Sequence, residues 1–253
     1  MIVLNERQWA EKMIEDHTLG SKPYETITRV SKYYMSNGAS KRDTRSLLEE
    51  FLIQCDPIIS IPKWSNAING AISAALKYPI IEIKCIEVSD KEMGTVKALK
   101  GKQIQRLAFT LLCLAKYWNH VSNTDSNWVN SKDSDIMNMA NINTSIKRQS
   151  AMYHTLNELG LVQFSKKVDN TNVKVCFIED GETVLMVSDF RNLGYQYLKY
   201  IGEPYFNCVN CGITTKYSNP AKGTKQKYCR QCAKEIAVKQ HVNSVMKFRN
   251  NTA

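Results

Sequence analysis

Apolar residues recur at three-to-four spacing in four stretches before residue 80, at 6–15, 24–36, 41–55 and 63–76, and this predicts four helices. Gly38, Pro57 and Pro62 separate them, Ser40 offers an N-cap to the third, and Asp56-Pro57 stops it. The longest periodic run, 101–118, carries Ile104, Leu107, Ala108, Leu111, Leu114, Ala115 and Trp118 and reads as a buried helix. After a polar break at 122–130, Ile136, Met137 and Met139 mark a short amphipathic turn over 133–140, and 141–143 supplies a tight turn. Thr144 is then the expected N-cap of a helix over 144–159, with Ile146, Met152, Tyr153, Leu156 and Leu159 facing inward and Gly160 as C-cap. Residues 79–88, 161–168 and 173–178 alternate as strands do, and Asp169-Asn170-Thr171-Asn172 joins the last two into a hairpin. The expected fold class is mainly α (α+β).

Three helices followed by a hairpin, with Asn157-Glu-Leu-Gly-Leu-Val-Gln-Phe-Ser closing a helix on glycine and entering a strand, resemble bacterial winged-helix regulators. The resemblance implies that the third helix enters a DNA major groove. Asn143, Thr144, Ser145, Lys147, Arg148, Ala151 and His154 then face base edges, while Lys166, Lys167 and Lys174 on the hairpin reach phosphates. The N-terminal order of 27–35, Gly38, 47–51, Asp56-Pro57 and 68–75 is similar to a helical module of plasmid and phage primase-type replication proteins. That likeness implies a replication neighbourhood and supplies no chemistry.

Eight cysteines divide unevenly. Cys55, Cys85, Cys113 and Cys176 stand singly in apolar contexts and read as inert core thiols, whereas Cys208/Cys211 and Cys229/Cys232 form two Cys-x2-Cys pairs separated by seventeen residues. Two such steps bring four thiolates to one tetrahedral Zn²⁺, leaving no open position for water or substrate, so one structural zinc is expected. Redox dithiols or disulfides are the alternative for the same four residues. Cys208-Val-Asn-Cys211-Gly212, the gap and the second pair resemble a GATA-type treble-clef finger, which implies a knuckle, a hairpin and a helix running from near Cys229 toward Lys247. The stretch 213–220 has no Leu-Trp-Arg-Arg and Cys232 is not followed by Gly-Leu-Tyr, so that family's site specificity does not carry over.

Composition narrows the function classes. Of 253 residues, 43% are hydrophobic and 23% charged, enough to bury a core, and the formal charge is +10. Nine basic side chains against Glu235 alone place about +8 of that charge after residue 203. Lys216, Lys222, Lys225, Lys227, Arg230 and Lys234 interleave there with Tyr205, Phe206, Tyr217 and Tyr228, a pattern suited to phosphate contact with aromatic support, although solvated charge explains it too. No apolar run reaches the roughly 18 residues of a membrane span, and 1–8 carries Glu6 without a signal core, so the expected location is cytoplasm, that of a bacterial host if the chain is phage-encoded. The four histidines pair with no catalytic motif, and no glycine-rich phosphate loop is present.

The expected organisation is a helical module over 1–95, a winged helix over 96–200 and a four-cysteine zinc module over 201–253. The expected function is non-enzymatic binding of nucleic acid, double-stranded DNA in particular, in phage or mobile-element replication or transcription control. In this reading the N-terminal helices recruit a protein partner or self-associate. The rivals are an adaptor that inhibits or redirects a host machine, and a metal-dependent nuclease using Asp56, Glu82 and Lys84.

Overall fold

The N-terminal helices form where the apolar spacing puts them: α1 Glu6–Glu15, α2 Pro23–Ser36, α3 Lys41–Cys55 and α4 Ile61–Lys77. Pro23 starts α2 where its missing N–H costs nothing, and Ser40 starts α3 through a reciprocal capping box with Asp43. Their inward faces meet in a core of Ala10, Ile27, Val30, Leu48, Phe51, Leu52, Ile68 and Ala71. Each large side chain there contributes about 1.5–3 kcal/mol of burial. Glu6 is buried beneath this bundle, paired with Lys32 at 2.9 Å and Arg29 at 3.4 Å and accepting the Ile81 N–H at 3.1 Å. Residues 79–84 differ from the expected strand: they lie along the chain before α1, with Glu6 N–H donating to the Ile81 carbonyl and Ile83 N–H to the Leu4 carbonyl.

The computed structural model describes residues 2–166, 172–218 and 226–251, which hold ten helices and three small antiparallel sheets, a mainly α (α+β) fold. Residues up to Lys84 form one compact unit and those from Cys85 on another. The second unit runs β1 Ile86–Ser89, α5 Asp90–Ala98, α6 Lys102–Ser122, β2 Trp128–Val129, α7 Asp133–Met139, α8 Ile146–Glu158, β3 Val162–Phe164, β4 Val173–Val175, β5 Thr183–Val187, α9 Leu193–Tyr200, β6 Tyr205–Asn207, β7 Thr214–Lys216 and α10 Arg230–Asn251. Every residue from 107 to 115 is fully buried, so α6 is the axle of this unit, enclosed on all sides. Lys116 leaves that core to donate to Glu92 of α5 at 2.7 Å, and Glu92 is itself fully buried.

Several elements were not apparent in the sequence pattern. The polar break after α6 contains β2, which pairs with β4 (Trp128 opposite Lys174, Val129 opposite Val173). β4 pairs on its other edge with β3, giving the sheet order β2-β4-β3. Of the alternating 79–88 stretch only the part from Ile86 on joins a sheet, as β1 Ile86–Ser89 with β5 as its partner. The α8 N-cap is Ser145, one residue beyond the expected Thr144. Met152, Tyr153 and Leu156 of α8 are buried as expected, but Ile146 is 83% exposed and Leu159 57% exposed, because each lies at an end of the helix. Cys113 is buried, whereas Cys176 is exposed, on the outward phase of the chain just past β4.

Candidate functional site

The chain enters the cysteine site through a hairpin. Tyr205 pairs with Lys216, Phe206 with Thr215 and Asn207 with Thr214, so β6 delivers Cys208 to the hairpin's end and Cys211 closes the loop. Gly212, at φ +75°, takes the left-handed conformation that lets its N–H turn back to the Cys208 carbonyl at 2.9 Å. The second pair sits at the start of α10: Cys229 directly precedes the helix and Cys232 lies in its first turn. A knuckle, a hairpin and a helix are thus present, the elements that the GATA-type resemblance implied.

The four Sγ atoms lie within 4.8 Å of one another, and Cys211 to Cys229 is 3.8 Å. A tetrahedron with metal–sulfur arms of about 2.3 Å has edges of about 3.8 Å, so the donor set fits one thiolate-bound metal ion. A disulfide needs sulfurs about 2.05 Å apart. All eight cysteines are free. The surroundings support thiolate character: Asn210 Nδ2 donates to Cys232 Sγ at 3.3 Å, and the Cys232 N–H points at Cys229 Sγ at 3.4 Å. Burial opposes ionisation of Cys208, yet backbone hydrogen bonds from Cys229, Cys211 and Asn210 outweigh it and lower this thiol to about 6. Cys211 is pushed up to about 12 by burial and by its contacts with the adjacent sulfurs. Among the described residues, the four cysteines form the one group of metal-binding side chains.

The aromatic residues of this module are structural. Phe206 is buried and packs on Tyr217 at 4.6 Å between ring centroids, Tyr205 packs on Tyr195 at 4.8 Å, and Tyr228 packs against the cysteines. They stabilise a small hairpin instead of standing free for base stacking.

On α8, Lys147, Arg148, Ala151 and His154 are exposed along one side, with Ser145 exposed just before the helix and Thr144 half-buried. His154 meets Phe164 of β3 edge-on at 5.4 Å, so this face runs directly onto the hairpin. Lys166 is exposed and Lys174 half-buried on the hairpin; Lys227 and Arg230 are both exposed beside the metal module. Lys167, Lys222 and Lys225 lie outside the described residues. Lys147, Arg148, Lys166, Lys174, Lys227 and Arg230 have no ion-pair partner among the described residues, whereas Arg7, Lys22, Arg29, Lys32 and Arg45 of the first unit are each engaged by a glutamate. Of the nuclease candidates, Glu82 is held by Arg7 at 3.0 Å and Asp56 accepts the Ile58 N–H at 3.1 Å.

No protein-family model, curated protein or solved structure matches the chain. Two features of the arrangement carry no sequence signature. Arg191 Nη2 donates to the Cys211 carbonyl at 2.6 Å while Asp189 holds its guanidinium, and Asn192 Nδ2 donates to the Thr214 carbonyl at 3.0 Å. Asn210, by contrast, stands inside the Cys-x2-Cys step and was open to notice as a donor to sulfur. No helix among the described residues is long and apolar enough to cross a membrane.

Proposed function

We propose that the chain is a non-enzymatic, double-stranded DNA-binding protein of winged-helix type, with α8 as the reading helix, β3–β4 as the wing and a structural zinc finger as an additional phosphate grip. The carrying observation is the exposed, unpaired cationic face of α8 abutting a hairpin whose sheet order is β2-β4-β3. The order helix, strand, helix, helix and hairpin, α6, β2, α7, α8 and β3–β4, supports this reading. Charge supports the same reading: residues 1–84 hold eleven basic and ten acidic side chains, whereas 85–253 hold twenty-three and fourteen. Cationic surplus on the body that carries α8, the hairpin and the finger suits a polyanion.

In this reading Lys147 and Arg148 address base edges or phosphates near the first turn of α8, and Lys166, Lys174, Lys227 and Arg230 hold the backbone. Zinc is the metal of choice for four thiolates at tetrahedral spacing, and a closed set of four protein ligands makes its role structural. Replication or transcription control in a phage or mobile element is the setting such a protein would serve.

The test is a titration against duplex DNA at several salt concentrations. Binding must weaken steeply as salt rises, and Lys147→Ala and Arg148→Ala should each reduce the slope of log K on log salt by about 1 if they meet phosphates. Binding that ignores salt, or variants indistinguishable from the parent, would favour the adaptor.

A further inference from the structure

A continuous set of polar contacts links the metal knuckle to the turn that launches α8. At the metal end, Arg191 donates to the Cys211 carbonyl and is fixed by both carboxylate oxygens of Asp189. Asn192 follows, in the left-handed conformation at φ +56°. Its Nδ2 donates to the Thr214 carbonyl of β7, and its Oδ1 accepts from Asn141 Nδ2 at 2.8 Å. Asn141, left-handed at φ +55°, lies between α7 and α8. Its Oδ1 accepts the Tyr195 N–H at 3.1 Å, and its carbonyl accepts from Arg106 Nη1 of α6 at 2.9 Å. Gly194 lets the backbones meet: a methyl group there would collide with the Ala140 carbonyl.

Asn141 and Asn192 both hold left-handed backbone, a conformation asparagine adopts more readily than other non-glycine residues, and their side chains make the bonds just described. The acceptors at the metal end, the Cys211 carbonyl for Arg191 and the Thr214 carbonyl for Asn192, both belong to a hairpin of two three-residue strands. A two-stranded hairpin that short is not stable by itself in water, so its shape rests on its aromatic packing, which includes Tyr195 of α9, together with the ion that the four sulfurs can hold.

We propose that Asn141, Arg191 and Asn192 are positioning residues through which metal occupancy fixes the α7–α8 turn and so the DNA-reading face of α8. The inference rests on the metal and DNA readings above. Without metal, the Cys211 and Thr214 carbonyls leave their places, Arg191 and Asn192 lose their partners, and the α7–α8 turn loosens.

The experiment is hydrogen exchange on the full chain, with metal content measured in the same samples. On treatment with a chelator, amides of 140–146 and 192–197 should exchange about tenfold faster or more, together with those of 205–216. Asn192→Gly should reproduce the change at 140–146 while retaining one metal per chain, because glycine accepts the backbone angle and removes only the side-chain bonds. It should also weaken DNA binding, whereas Lys147→Ala should weaken binding without altering exchange. If chelation loosens 205–216 but leaves 140–146 unchanged, the proposal is overturned even though the metal reading stands. A chain that retains no metal defeats both. Metal-dependent exchange at 140–146 without DNA affinity removes only the DNA reading. Should Asn192→Gly fail to fold, the chelation comparison on the parent chain still decides.

Discussion

Tyr197 is fully buried on α9, and its hydroxyl finds no hydrogen-bond partner among the described residues. An unsatisfied buried hydroxyl costs about 1–3 kcal/mol, so Tyr197→Phe should raise the midpoint of thermal or urea unfolding or leave it unchanged; a clear loss of stability would contradict the packing described. Burial, with Tyr200 nearby, pushes the Tyr197 phenol up to about 12, above its ordinary value near 10. The unfolded chain therefore releases this proton first. The contribution to stability is whole below about pH 10 and is lost as pH rises from there through about 12, and Tyr197→Phe should flatten that part of a stability–pH profile. Asn210 differs in kind, because it donates to a ligand sulfur. Asn210→Ala should weaken metal affinity about 10–100-fold in a competition with a chelator while leaving the four ligands in place. Those ligands were readable from spacing alone, since two Cys-x2-Cys steps dictate convergence. Arg191 was not readable, since its role comes from a carbonyl twenty residues away.

Among the helices, local chemistry and packing divide the work. Ser40→Ala removes a capping box on the exposed start of α3 and should cost about 1 kcal/mol in chemical denaturation, because the Asp43 N–H is satisfied there by the Ser40 hydroxyl. Gly194→Ala should be far more disruptive than its helical position suggests. Its methyl would strike the Ala140 carbonyl, so α9 would have to withdraw from the α7–α8 turn, read as lost thermal stability together with faster exchange near 140–146. The boundaries of α1 to α4 and α6 followed from apolar spacing and breakers because each helix is long enough for its period to stand out. α5, α9 and the two-residue β2 are too short for that. Residues 79–84 alternate as a strand would, but in the folded chain they bond to the residues around the start of α1, with Glu82 set against Arg7, and not to a sheet partner.

The chain as a whole is two compact units with unequal charge. Removing metal should therefore lower the unfolding transition of the part from Cys85 onward and leave that of the α1–α4 bundle in place, a difference that calorimetry with and without chelator would reveal. A single transition that moves as one would contradict this expectation. The surplus cations follow the same division, so if the proposed DNA binding holds, its salt dependence should come from α8, the hairpin and the cysteine module, with little contribution from the first unit.

Whatever depends on near neighbours along the chain could be read before folding: helix periods, caps, the glycine exit from α8, and the metal-binding four, whose spacing leaves little choice of geometry. Folding in three dimensions settled the remainder: which short segments become strands, which cations stay unpaired, that the finger's aromatics are packed inward, and that two asparagines fifty-one residues apart join the metal knuckle to the start of α8. These outcomes depend on partners brought together across long intervening segments, and a pattern read along one stretch of chain carries no record of them.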